Sequence, residues 1–333
     1  MTAPSFDTLP APVRALATGD VGAFAAPFAA AGFMVATPAR GVLTIRTAAA
    51  HAARPAVLLS VGVHGDETGP IEIIAWILDA LAQAPRELAV DLMVCVAHVD
   101  AIAAGRRFID ADLNRMFRTT RHDLVNTVEA ARADELVAAT AAFFDASGPM
   151  RLHLDLHTAI RASRYPAFAL VPALVAQPAR DALVAWLGTA GTEAVILNPT
   201  PGGTYSYWTA AQHGAAASTV ELGRVGALGG NDLVRFDAAH RAVAALLRGR
   251  PRTEGPAPLV FDTVRTITKL SPGFSMRAGR DTANFTPLHK GDVTATDGGT
   301  VYMVEQEGEY LVFPNPDVRV GLRAGIVVRR RGA

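Results

Sequence analysis

With a single cysteine in 333 residues, the chain cannot form an internal disulfide framework. Cys95 lies in the apolar run "LMVCVAHV", where a buried, inert thiol is expected, and such usage fits a reducing cytosol. Net charge is also missing, since Lys plus Arg and Asp plus Glu are both 31. No long-range field draws the chain to nucleic acid or an anionic membrane, so any anion recognition must be local. The N-terminal stretch "VGAFAAPFAAAGFMVA" falls short of the roughly 18 apolar residues a membrane span needs. Pro27 and Gly32 interrupt it, and Asp7 and Asp20 precede it where a signal peptide carries positive charge. The expectation is an alanine-rich helical region packed on the core.

Several catalytic signatures are missing too. No Gly-x-Gly-x-x-Gly follows a strand, and there is no Gly-Lys-Ser/Thr phosphate loop and no Gly-x-Ser-x-Gly turn. "GALGGND" is glycine-rich in the wrong context, and Lys290 in "HKGD" lacks the methionines that flank a lipoyl or biotinyl lysine. No internal repeat is present.

About half of the residues are apolar, enough for one large domain or two unequal ones. Between residues 41 and 250, short apolar runs ("GVLTIRT", "AVLLSVGV", "AVDLMVCVAHV", "RLHLDLHT", "AFALVP", "EAVILN", "ASTVELG") alternate with stretches of helical period. The helical stretches are "PIEIIAWILDALAQA", "ADELVAATAAFFDA", "QPARDALVAWLGTAG" and "FDAAHRAVAALLRG". This is α/β patterning. At "RPRTEGPAPLV" the composition changes, and short strands separated by Gly, Asp, Asn and Pro turns follow. The pattern divides the chain at about residue 252 into an α/β domain (1–252) and a small all-β domain (253–333).

Four stretches carry residues able to do chemistry. In "VGVHGDETGP", His64 and Glu67 sit on a strand-to-helix turn, close enough to chelate one ion, with Gly65 permitting a tight backbone between them. A polar loop capping the strand is the alternative. In "RLHLDLHTAI", a helix would bring His153 and His157 together, whereas a strand holds them about 13 Å apart. Strict alternation favours the strand, with His153, Asp155 and His157 on one face. His157, at the C-terminal end where open α/β sheets carry their sites, is the better ligand candidate, and Asp155 a partner orienting it. A satisfied polar cluster remains the alternative. "GRRFIDADLNRMF" is dense in anion-binding groups: Arg107, Arg115 and Asn114 could recognise carboxylates, or pair internally in a solvated loop. In "STVELG", Glu221 interrupts an apolar strand end, as a general base beside a metal-bound water or as an ion-pair partner of Arg224.

Taken together, "HGDE", "DLNRMF", "DLHTAI" and "VELG" occur in an order and spacing that resemble the succinylglutamate desuccinylase and aspartoacylase family, related to zinc carboxypeptidases. The tail "NFTPL…VFPNPDVRVGLRAG" resembles the C-terminal β-domain of the desuccinylase branch. The resemblance implies a zinc-carboxypeptidase-like mixed sheet flanked by helices, plus a small C-terminal all-β domain. It also implies one Zn2+ per subunit held by His64, Glu67 and His157, with Glu221 as the catalytic glutamate. That ligand set leaves a zinc position open for water, whose pKa the ion lowers to about 7; Co or Mn could substitute. Arg107 matches the family arginine that stabilises the oxyanion, and Asn114 and Arg115 the pair that binds a substrate carboxylate.

"TYSYWTAAQHGAAASTVELG" lacks the arginine with which aspartoacylase binds substrate, whereas "HTAIRAS" resembles the desuccinylase branch and places Arg161 near another carboxylate. The implied reaction is hydrolysis of N-succinyl-L-glutamate to succinate and L-glutamate, the last step of arginine breakdown by the succinyltransferase route. The implied partner is thus a small molecule with several carboxylates, with no nucleic acid and no membrane; self-association is left open. A deacylase of another N-acyl amino acid and a catalytically silent metal-binding module are the competing readings.

Overall fold

The apolar runs of the sequence become a central sheet in the computed structural model, which describes residues 5–48, 54–279 and 281–332. Its first eight strands are β1 (Met34–Ala39), β2 (Val42–Arg46), β3 (Ala56–Val61), β4 (Asp91–Val96), β5 (Arg151–Ala159), β6 (Phe168–Pro172), β7 (Ala194–Asn198) and β8 (Ala216–Arg224). Around them lie α1 (Ala11–Thr18), α2 (Ala25–Ala30), α3 (Gly69–Gln83), α4 (Val99–Ala104), α5 (Val128–Asp145), α6 (Gln177–Thr189), α7 (Tyr205–His213) and α8 (Asp237–Leu247). The remaining strands are β9 (Leu259–Thr268), β10 (Ser275–Met276), β11 (Thr286–Leu288), β12 (Val293–Asp297), β13 (Thr300–Met303), β14 (Glu309–Val312) and β15 (Arg323–Arg330).

The main sheet runs β1-β2-β4-β3-β5-β8-β6-β7-β9-β15-β14-β11, and β10-β12-β13 form a second, small sheet. Strands β4, β3, β5 and β8 are mutually parallel, and every residue of β3 and β4 is buried, which is why both read as unbroken apolar runs. The chain passes from β3 to β4 on one side and then returns to β5 on the other. That reversal opens a crevice beyond the carboxyl ends of β3 and β5, where open α/β sheets bind ligands.

The sheet does not stop at the proline-rich linker. β9 pairs in parallel with β7, and β15 pairs with β9. Phe168, Ala194 and Ile196 on β6 and β7 share one apolar cluster with Phe261, Phe285, Val312, Ile326 and Val328. The shift in composition therefore marks a change in content while hydrogen bonding and packing continue across it.

The N-terminal alanine-rich stretch is helical and packed on the core as expected as far as Ala30, and departs from expectation only at its end. It forms a 3-10 turn (Val21–Phe24) and α2, after which "MVATPA" becomes the edge strand β1. Gly32, at φ 93°, permits the reversal, and Pro38 is tolerated because an edge strand leaves one row of N–H groups unpaired. Helix α7 was not expected either, since "YSYWTAAQH" is short and rich in aromatic residues. The Thr204 hydroxyl caps its start by accepting from Tyr207 N, and Gly214, left-handed at φ 63°, ends it. Among the described residues, no helix is long and apolar enough to cross a membrane.

Candidate active site

The turn after β3 is shaped by close packing. A Cβ on Gly65 would stand 2.2 Å from the backbone carbon of Ala101, so glycine is required by the approach of α4. Gly65 N donates to Arg107 O at 3.1 Å and Glu67 N to His64 O at 3.2 Å, tying the turn to the arginine-rich segment. Asp66 is half-buried beside it, and its Oδ1 has no hydrogen-bond partner.

The strand reading of "RLHLDLHT" holds, because β5 spans it and places His157 beside Glu221 in the register with β8. His64, Glu67 and His157 present ligand atoms within 4.8 Å of one another, all buried. Glu67 bridges the two rings, with Oε1 2.8 Å from His64 Nδ1 and Oε2 2.8 Å from His157 Nδ1. The opposite ring nitrogens also meet carboxylates. His64 Nε2 is 3.0 Å from Asp112 Oδ1, and His157 Nε2 is 2.9 Å from Asp155 Oδ2. A carboxylate on the far nitrogen of each histidine is the arrangement that orients imidazoles towards a metal. Two imidazoles and one carboxylate also match the donor set of an open, catalytic zinc site, so these residues fit a metal.

The same neighbours set the charge of each group when no ion is bound. Burial pushes the Glu67 carboxyl up, but His64, His157 and Arg107 outweigh it and hold it well below the usual range. Burial pulls His157 down, yet Asp155 and Glu67 raise it well above an ordinary imidazole. His153 has the opposite fate. Enclosed between Ser60 Oγ and Thr209 Oγ1, each 2.8 Å away, it is driven by burial down to about 4 and stays neutral. It is the satisfied core histidine of the strand.

Glu221 is 8 % exposed, and its Oε2 has no hydrogen-bond partner. Burial, and then the negative charge of Glu67, lift its carboxyl to about 7 against His157, Arg107 and His64. The alternative pairing with Arg224 does not form: Glu221 is buried with its Oε2 unpartnered, and Arg224, beyond a bulge in the β5–β8 register, is exposed.

The eight residues expected to hold the metal, catalyse or bind substrate line one cavity of about 510 Å³: His64, Glu67, Arg107, Asn114, Arg115, His157, Arg161 and Glu221. Arg107 Nη1 donates to Glu67 Oε1 at 2.6 Å, so its guanidinium lies at the ligand cluster. Asn114 Oδ1 accepts from Tyr205 N at 2.9 Å, which leaves its amide N–H groups to the cavity. Phe117 N donates to Gly203 O at 3.1 Å, and the Phe117 and Tyr205 rings stack at 4.2 Å, so α7 holds the segment in place.

Two acids in this network went unnoticed in the sequence. Asp112 caps the Leu113–Arg115 turn by accepting from Asn114 N at 2.9 Å while it orients His64. Glu129, fully buried at the start of α5, accepts from the backbone N–H of Ile109 (2.7 Å), Asp110 (3.1 Å) and Ala111 (3.1 Å), and lies 2.9 Å from His98 Nε2. In sequence it passes for an ordinary first-turn acid. Burial raises its carboxyl, but His98 and the backbone donors outweigh that and lower it. Its stabilisation is therefore complete above the unfolded value of about 4.3 and is lost as pH falls through the lower folded value. Glu129→Gln places an amide against those N–H donors. It is expected to cost about 3 kcal/mol and to lower kcat/KM at least tenfold by loosening the Arg107 segment, read by thermal melts and kinetics; unchanged kinetics would rule out the positioning role.

Comparison with known proteins bears on the same features. Residues 53–247 match the succinylglutamate desuccinylase/aspartoacylase catalytic domain, and residues 256–331 match the AstE/AspA barrel-sandwich hybrid domain. The chain belongs to this family. A succinylglutamate desuccinylase from Burkholderia orbicola is 46 % identical over 293 residues, covering 86 % of this chain and 85 % of that protein. Among solved structures, the succinylglutamate desuccinylase of Vibrio parahaemolyticus superposes with a TM-score of 0.83 at 33 % identity, covering 90 % of this chain and 88 % of that one. The Vibrio cholerae enzyme gives 0.82 at 35 % identity over the same shares, 90 % and 88 %. The desuccinylase/aspartoacylase fold thus accounts for both parts of the chain, the mixed α/β sheet and the β-rich barrel-sandwich unit, and makes it a hydrolase acting on a small molecule.

Proposed function

We propose that this chain hydrolyses the amide bond of N-succinyl-L-glutamate to succinate and L-glutamate, with one Zn2+ held by His64, Glu67 and His157. The observation that carries the reading is the unpartnered, raised carboxyl of Glu221, one strand away from a His-Glu-His cluster and at the same level as His157. When bound, zinc polarises the amide carbonyl and lowers the pKa of a water to about 7. Glu221 accepts a proton from the attacking water, whose oxygen bonds to the carbonyl carbon. The same carboxyl then returns the proton to the amide nitrogen as the C–N bond breaks. Arg107 faces the oxygen that becomes negative, where a preorganised charge has its largest effect. Arg115 and the amide of Asn114 orient a carboxylate, and Arg161, on the loop after His157, faces another.

Incubating purified, zinc-loaded protein with N-succinyl-L-glutamate is expected to release glutamate, and a chelator should stop the release. Absence of chelator-sensitive release would overturn the proposal, and faster turnover of N-acetyl-L-aspartate or N-acetyl-L-glutamate would reassign the substrate.

A further inference from the structure

The cavity has a wall that the four sequence motifs do not supply. Phe313 and Arg323, from the C-terminal part of the chain, line the same cavity as His64, Glu67 and His157. Arg323 lies at the start of β15 with its guanidinium carbon 5.7 Å from the centre of the Phe313 ring. No carboxylate among the described residues lies within ion-pairing distance of it. Asp112, whose negative charge acts on it, is already engaged by His64 Nε2 at 3.0 Å and Asn114 N at 2.9 Å. Arg115 is near enough that its positive charge counts against that of Arg323. Two guanidiniums that repel each other in one enclosed corner, with a single shared acid already occupied, form a place where a ligand's anions are missing.

The surroundings hold Arg323 in place. Phe313 adopts φ 54°, a left-handed conformation that bulky residues rarely take, and its N–H donates to Asn284 Oδ1 at 2.8 Å. Asn284 is fully buried. Its backbone N–H donates to Ala162 O at 2.9 Å, and its carbonyl accepts from Arg164 N at 3.1 Å. The strained residue beneath Arg323 is thereby fastened to the loop that follows His157.

We propose that Arg323 is a specificity-determining residue that binds the side-chain carboxylate of the acidic amino-acid half of the substrate, beside the carboxylate held at Arg115. Two cations in one corner fit two carboxylates of one residue better than carboxylates on opposite sides of the scissile amide. Burial, followed by the charge of Arg115, brings the Arg323 guanidinium down to about 9, which leaves it charged at neutral pH. As to the compound hydrolysed, the proposal rests on the function proposed above.

The test compares N-succinyl-L-glutamate with N-succinyl-L-glutamine, which replaces the side-chain carboxylate by a neutral amide of the same size. Arg323→Met is expected to lower kcat/KM about 100-fold on the first compound and less than threefold on the second, with Arg323→Lys falling between. Equal losses on both substrates, or none on either, would overturn the assignment. Titration of free L-glutamate and L-glutamine into the full-length zinc-loaded protein gives a second readout. Arg323→Met should weaken glutamate at least tenfold and leave glutamine unchanged, whereas equal binding of glutamate to wild type and variant would overturn the subsite. A wild type that hydrolyses neither succinyl compound would count against the proposed function alone, and the titration would still decide the role of Arg323. If Arg323→Met fails to fold, Arg323→Gln, which also removes the charge, decides by the same ratios.

Discussion

Glu221→Gln is expected to lower kcat by about 10²- to 10⁴-fold, the range for loss of a positioned acid–base group, while zinc content stays at one equivalent. Glutamine keeps the volume and the buried position but cannot take a proton. The cause lies in the site: Glu221 is buried, its Oε2 lacks a partner, and it stands beside His157 without belonging to the ligand cluster. Unchanged turnover would remove Glu221 from the mechanism, and loss of zinc would make it a ligand. A catalytically silent metal-binding module would have no use for this carboxyl in that position. The pH profile provides a second check. Burial and Glu67 raise Glu221 to about 7, and the base works deprotonated, so kcat/KM should rise with pH up to that value, about tenfold per unit below it. In the zinc-loaded enzyme the nearby cation sets the upper end of that limb below 7, and Glu221→Gln should abolish the limb.

His157→Ala and His64→Ala are each expected to remove tightly bound zinc and to reduce turnover at least about 10³-fold. Lewis-acid stabilisation contributes several kcal/mol, and each 1.4 kcal/mol is tenfold. Asp112→Asn and Asp155→Asn retain both imidazoles but disturb their orientation, for which about 10- to 100-fold weaker zinc affinity is expected. Zinc content by elemental analysis and competition with a chelator measure both effects. His153→Ala serves as the control. His153 lies on the same strand face but is enclosed by Ser60 and Thr209, so its loss should lower stability and leave zinc in place. Zinc loss there, with zinc retained in His157→Ala, would exchange the two histidines.

Much of this was legible because it is local in the chain. The spacing of His64 and Glu67 on one turn, the alternation that makes "RLHLDLHT" a strand, and the polar Glu221 in an apolar strand end each span fewer than ten residues. Such patterns express backbone periods of 3.6 and 2.0, which survive without any partner segment. The order of the four motifs added the family, and with it the expected ligands. Even there the reason sometimes changed: Gly65 is demanded by the backbone of Ala101, a contact with another element that the turn itself does not announce.

Other features depend on which segments the fold brings together. Asp112 orients His64 from 48 residues away, and Glu129 looks like a routine first-turn acid until the loop carrying Arg107 folds over it. Arg323 belongs to a strand that reaches the cavity because β9 continues the central sheet past a linker that reads as a break. The chain's local chemistry thus set which residues were fit to bind a metal, move a proton or hold an anion. Their convergence on one cavity followed from sheet register and packing, long-range contacts to which a residue's immediate neighbours are blind.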